Sequence, residues 1–122
     1  MPYALYIRCM RDERRRLLEA LTERAPRLAE EMVDRTRTEI PSFAAVPRDD
    51  QLGETVAFTL WLAGFSLGAD VPELDSDRLA DLGRRRAEQG IPVEDLLRSW
   101  RISVDVGIAR AREVAAAREL DP

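Results

Sequence analysis

Prolines and glycines divide this chain at intervals that suit helices. Pro26, Pro41, Pro47, Pro72 and the Gly90/Pro92 pair leave stretches of helical length between them. No run of roughly four to eight residues combines period-two alternation with β-branched enrichment, the pattern a half-buried strand requires. The chain is therefore expected to be all-α. Its helical segments are predicted at about 3–24, 26–40, 50–68, 76–89 and 92–119, about five helices in one bundle.

Each segment carries its own cue. In the first, Leu17, Leu18 and Leu21 form an apolar stripe, with Arg11–Arg16 on the wet side. Pro26 is expected in the first turn of the second, where its missing N–H leaves no bond unmade. Leu28, Met32, Val33 and Ile40 mark that helix's inner face, and Pro41 and Pro47 bracket a short loop. Asp49 or Asp50 is placed to cap the third helix. From Val56 to Leu67 that helix is apolar nearly all round, so it is either buried centrally or shared with a partner. Gly64 and Gly68 lie one turn apart and read as a tight helix crossing, with a ligand approaching the backbone as the alternative.

Asp75 or Ser76 is placed to cap the fourth helix, with Leu79, Leu82 and Ala87 facing inward. Gly90 reads as its C-terminal glycine and Pro92 as the first position of the last helix, so the two form a structural joint. In that last helix Val93, Leu97, Trp100, Val104, Ile108, Ala111 and Ala115 recur at spacings of three and four. They are expected to face the core, with Leu96, Ile102 and Val106 at the flanks.

Composition narrows the chemistry. A chain of 122 residues fits a single domain and needs no disulfide or metal to fold. Its 34% charged and 45% apolar residues are an ordinary balance for a soluble domain. The one cysteine, Cys9, has no internal partner for a bridge, so a cytoplasmic location is expected. The N-terminal stretch lacks the order of charge and apolar core that marks a signal peptide. The apolar run Thr55–Ala69 is shorter than the roughly 20 residues a bilayer span needs.

All 19 basic residues are arginine, and histidine, lysine and asparagine are absent. Without histidine the commonest general base and metal ligand are missing. Without lysine there is no Schiff base and no phosphate-loop lysine. No catalytic residue, metal site or cofactor is expected, and the chain is not expected to be an enzyme. The net charge is −4, with an acidic middle around the consecutive Arg84, Arg85 and Arg86. On a helix three consecutive residues fan over roughly 200°, so they form no phosphate-facing stripe. They read as a solvated helix end, and no direct nucleic-acid binding is expected.

Trp61 and Trp100 sit in the apolar stripes of two different helices. They read first as core, with an apolar pocket or subunit interface as the alternatives. Phe58, Trp61, Phe65, Leu97, Trp100, Arg101 and Val104 are thus the candidate pocket or interface residues. For Arg101, one turn beyond Leu97, a surface ion pair with an acid of the middle segment is expected first, with a buried or interfacial partner or an anion contact as the alternative.

The segment 79–101, LADLGRRRAEQGIPVEDLLRSWR, resembles the hallmark of the RsbRD-type N-terminal domain. That domain precedes the regulatory modules of PucR-type transcriptional regulators and is related to the N-terminal domains of stressosome RsbR-like proteins. The residues carrying the resemblance are Arg85, Ala87, Gly90, Ile91, Pro92, Val93, Leu96, Leu97, Trp100 and Arg101. The likeness covers about residues 10–118 and is strongest over the quoted segment. It implies a globin-like helical bundle without haem, and a sensory or interaction module, usually dimeric, attached to an output domain. The missing histidine agrees, since a haem globin needs a proximal one.

Residues 1–122 are accordingly read as a single helical sensor and dimerisation domain of a bacterial transcriptional or stress-response regulator. No GGDEF-like, STAS or helix-turn-helix segment is present, so the output domain is expected elsewhere, fused or associated. The alternative is a free-standing module that binds an apolar small molecule between the Trp61 and Trp100 helices.

Overall fold

The computed structural model describes residues 2–68 and 76–119, apart from the side chains of residues 6, 7, 66, 76, 78, 79, 118 and 119. Every described element is helical. Helix α1 spans Tyr3–Glu39, a short 3-10 helix spans Pro41–Ala45, and α2, α3 and α4 span Arg48–Ser66, Ser76–Glu88 and Val93–Glu119. Helices α2 and α4 both pack along α1 and touch each other only sparingly. The polar stretch around Pro72, the cap at Asp75 or Ser76, the side chain of Leu79 and the Asp121-Pro122 ending lie outside the described residues.

The expected break at Pro26 does not occur. Helix α1 runs straight through it, so the described residues form four α-helices rather than about five. An interior proline removes one backbone bond and crowds the carbonyl a turn earlier, at a cost of about 3 kcal/mol. The apolar stripe Leu17, Leu21, Ala25, Leu28, Met32 crosses the proline without changing face, and from Leu21 onward it is buried. Burying large side chains on both sides, at about 1.5–3 kcal/mol each, offsets the proline's cost. Helix α1 ends where the next prolines dictate. Pro41 pushes Ile40 into an extended conformation, and the Ile40 N–H still closes on the Thr36 carbonyl at 2.8 Å.

The caps also differ from expectation. Pro47, not Asp49 or Asp50, precedes α2, and no side chain caps it. The two aspartates sit in the first turn, where the helix dipole favours negative charge. Gly68 lies just past α2 with φ +72°, and its N–H donates to the Phe65 carbonyl at 3.2 Å. It therefore closes α2 rather than extending a crossing face, while Gly64 is buried.

The α3–α4 joint follows its glycine. Gly90 has φ +84° and donates to the Ala87 carbonyl at 3.0 Å, and the Ile91 N–H donates to the Arg86 carbonyl at 2.9 Å. This pair of bonds closes α3, and buried Ile91 anchors the turn. Pro92 stands just outside α4, its carbonyl accepting from the Asp95 and Leu96 N–H groups at 3.0 and 3.1 Å.

The largest correction concerns which face of α4 is buried. The face against α1 is Ser99, Ile102, Ser103 and Val106. Four residues of the stripe expected in the core point outward instead: Val93 is 67% exposed, Leu97 55%, Ile108 48% and Trp100 38%, while Val104 and Ala115 are half-buried and Ala111 packs against the core as expected. The buried face carries the smaller residues. The two serine hydroxyls donate within the helix, to the Leu96 and Ser99 carbonyls. A Cβ on Gly107 would lie 3.6 Å from the Met32 methyl, in ordinary van der Waals contact. Ile102 and Val106 supply this face's contact with the core, and the small Ser99 and Ser103 lie beside them with their hydroxyls satisfied.

Polar stitches fix the assembly. Arg37 places Nη1 near the carbonyls of Phe43 and Val46, at 3.1 and 2.8 Å, and near Gln51 Oε1 at 3.2 Å. Ser42 donates to Asp95 at 2.7 Å, tying the 3-10 turn to α4. Arg110 grips both oxygens of Glu31 at 2.9 and 2.6 Å, tying α4 to α1. This hydrogen bonding holds the Glu31 carboxyl below its ordinary value and raises the Arg110 guanidinium above its own.

Candidate functional site

A half-open cleft of about 370 Å³ lies where α2, α3 and α4 diverge. Thr36 and Phe43, both fully buried, form its floor. Phe58, Leu82, Leu96, Trp100 and Val104 give it mainly apolar walls. Gln51, Thr55, Ser99 and Ser103 add polar atoms near the base. The Thr55, Ser99 and Ser103 hydroxyls donate to carbonyls of their own helices, so their oxygens face the cleft chiefly as acceptors.

The charged wall is an ion pair between helices. Arg86 of α3, its side chain only 5% exposed, bonds to Glu54 of α2, which is 24% exposed. Arg86 Nη1 also donates to Gln89 at 2.9 Å. Arg85 approaches the other Glu54 oxygen at 3.3 Å from the solvent side. One carboxylate thus faces two guanidiniums, Arg86 within the cleft and Arg85 outside it. Among the described residues no buried side-chain nitrogen or oxygen lacks a hydrogen-bond partner, and no group of three or more acidic or cysteine residues is arranged around a metal position.

The sequence-derived candidates divide between two places. Phe58, Trp100 and Val104 line the cleft. Trp61 and Phe65 do not; their rings stack on each other along α2 at 5.1 Å, with Phe58 6.3 Å from Trp61. Leu97 and Arg101 lie on the outward face of α4. Helix α2 is not buried all round, since Leu60 and Phe65 are exposed.

Arg101 is exposed and has no salt bridge within the chain among the described residues, whereas Arg86, read as part of a solvated triplet, is buried. Only Arg84 and Arg85 are solvated, with Arg84 paired to Asp81 at 2.5 Å. Ala87, expected inward, is exposed. The signal for Arg86 was present: it continues the Leu79, Leu82 register by one further turn, so a guanidinium falls on an apolar stripe. Glu54 likewise lies between Gln51 and Phe58 on the inner face of α2. Opposite charges on the inner faces of two helices signal a buried pair.

Among the described residues no helix is long and apolar enough to cross a membrane. No curated protein and no solved structure matches the chain. One sequence family does, and its match over residues 26–122 takes in the cleft, the Arg86–Glu54 pair and the Gly90 joint. The chain belongs to the family described as the RsbT co-antagonist protein rsbRD N-terminal domain, a family of regulatory N-terminal domains of stress-response proteins.

Proposed function

We propose that this chain is a non-enzymatic sensory and dimerisation domain of a bacterial transcriptional or stress-response regulator, acting in the cytoplasm and relaying a signal to a separate output domain. The observation that carries this reading is the apolar surface left without a partner. Val93, Leu97 and Ile108 on α4, with Leu60 and Phe65 on α2, are exposed, while other faces of these two helices pack on α1. Exposed apolar surface of this kind marks sites of association. The family assignment supports a regulatory role for it. With no histidine or lysine, catalysis is not part of the reading.

Analytical ultracentrifugation tests it. A concentration-dependent dimer is expected. A chain that stays monomeric at high concentration, and is not stabilised by any ligand, overturns the reading.

The cleft favours a second reading, a module that takes an apolar small molecule. Its volume lies at the lower end of the range of ligand sites, roughly 300–1,000 Å³. A ligand that binds only the folded chain raises its unfolding midpoint. A panel of apolar compounds is therefore expected to yield at least one thermal shift that disappears in Leu82→Trp, which fills the cleft from α3. No shift from any compound refutes this second reading.

A further inference from the structure

We propose that two copies of this chain pair through α4, packed antiparallel about a two-fold axis at Val104. The proposal rests on the homodimer reading above and names its surface.

The second apolar stripe of α4, from Val93 to Ala115, advances at spacings of 4, 3, 4, 4, 3 and 4; Val93, Leu97, Trp100 and Ile108 on it are exposed, and Val104, Ala111 and Ala115 are half-buried. That is eleven residues in three turns, a repeat that keeps a seam nearly straight with a slight right-handed twist. The seam spans about 33 Å at 1.5 Å per residue. Its bulk is uneven, with Val93, Leu97 and Trp100 at one end and Ala111 and Ala115 at the other.

In a parallel pair each residue meets its own copy. Trp100 would then wedge the helices apart while the alanines left a gap. In an antiparallel pair centred on Val104, Val93 meets Ala115 of the second copy, Leu97 meets Ala111 and Trp100 meets Ile108. Large residues then oppose small or medium ones along the whole seam. That keeps the axes at the roughly constant 8–10 Å separation that packed helices require.

Charge points the same way. On the eleven-residue repeat Glu94, Arg101, Asp105 and Arg112 fall on one border of the stripe, roughly 65–100° from its centre line. The opposite border is Leu96, Ser103, Gly107 and Val114, which carry no charge. All four charged residues are exposed, and among the described residues none has a salt bridge within the chain. A two-fold antiparallel pair brings the charged border of one copy against that of the other. Arg101 then faces Asp105 of the second copy and Glu94 faces Arg112, each twice. A parallel pair would set each charged border against an uncharged one.

Disulfide trapping in a Cys9→Ser background tests the geometry, with ultracentrifugation run beside it. Val104→Cys is expected to link to itself. Leu97→Cys and Ala111→Cys are each expected to remain unlinked alone and to link when mixed. Self-linking by those two variants, without mixed linking, means a parallel pair and overturns the proposal. A dimer with no linking at any of the three positions uses another face, which overturns this proposal and leaves the homodimer reading intact. A monomer overturns both. Asp105→Arg, an exposed change that leaves helix content by circular dichroism unaltered, is expected to weaken the dimer at least about tenfold. Arg101→Asp in the same chain is expected to restore it; failure of that rescue removes the charge argument.

Discussion

Removing the Glu54 carboxylate tests the electrostatics of the cleft most directly. Glu54→Ala leaves the Arg86 guanidinium charged and 95% buried, with Gln89 as its remaining polar side-chain partner. Breaking a buried pair from one side costs about 3–5 kcal/mol, because the surviving charge stays out of water. The cleft is half open and Glu54 is itself about a quarter exposed, so the lower end, about 3 kcal/mol, is expected.

The reverse change, Arg86→Met, should cost less. Glu54 keeps its water contact and Arg85 at 3.3 Å, and methionine suits the apolar neighbours, so about 1–2 kcal/mol is expected. The double variant should be more stable than Glu54→Ala alone, which is the signature of direct coupling. Urea unfolding followed by the fluorescence of Trp61 and Trp100 measures all three. At a slope of about 1.5 kcal/mol per molar urea, Glu54→Ala should lower the midpoint by about 2 M. The comparison must be made at one chain concentration, since association adds to apparent stability. If Arg86→Met proves as costly as Glu54→Ala, or more so, the buried-charge reasoning is wrong.

Three further outcomes follow from the same structure. Pro26→Ala should restore one backbone bond in α1 and stabilise the chain by about 1–2 kcal/mol in urea unfolding; a loss of stability would contradict an unbroken helix there. Gly90→Ala should cost about 1–2 kcal/mol from its φ of +84° alone, because a Cβ there meets nothing within 4 Å; a neutral result would mean the joint does not depend on that conformation. Glu31 titrates below its ordinary value when folded, so the Arg110 contact is worth most above the usual carboxylate range and is lost as pH falls through the lowered pKa. Glu31→Gln should therefore flatten the acid limb of a stability-against-pH curve, and an unchanged limb would mean the pair adds nothing.

Some of this molecule was legible in its residues and some was not, for reasons that differ by helix. The Gly90/Pro92 joint could be read because a positive φ and a missing N–H leave few alternatives. Helix α1 was misread because Pro26 satisfies a local rule for a helix start, while the stripe from Leu17 to Met32 satisfies a longer-range rule for continuity. Tertiary burial decided between them. Helix α4 carries apolar residues on two faces, and periodicity selects the bulkier one. Packing on α1 instead buries the face with Ser99, Ile102, Ser103 and Val106, whose serines lower its hydrophobicity. The same packing leaves Arg101 exposed, while Arg86 is the buried arginine. In the candidate site Phe58, Trp100 and Val104 could be named in advance. The charged wall could not, because arginines in a run look solvated until one of them is placed in register with Leu82.

No described residue of α1 before Leu21 is buried, although the helix is continuous from Tyr3. Arg14 still passes beside Gly68 at the end of α2, but Tyr3–Glu13 extends about 16 Å further along the same axis. An isolated stretch of that length is marginal as a helix in water. The backbone of α1 therefore has two lifetimes. Amide protons in the Tyr3–Glu13 stretch should exchange with solvent through local fraying, while those from Leu21 onward should exchange only when the bundle opens. A single helix then joins a segment that melts and reforms freely to a spine that does not, with Leu17 at the boundary.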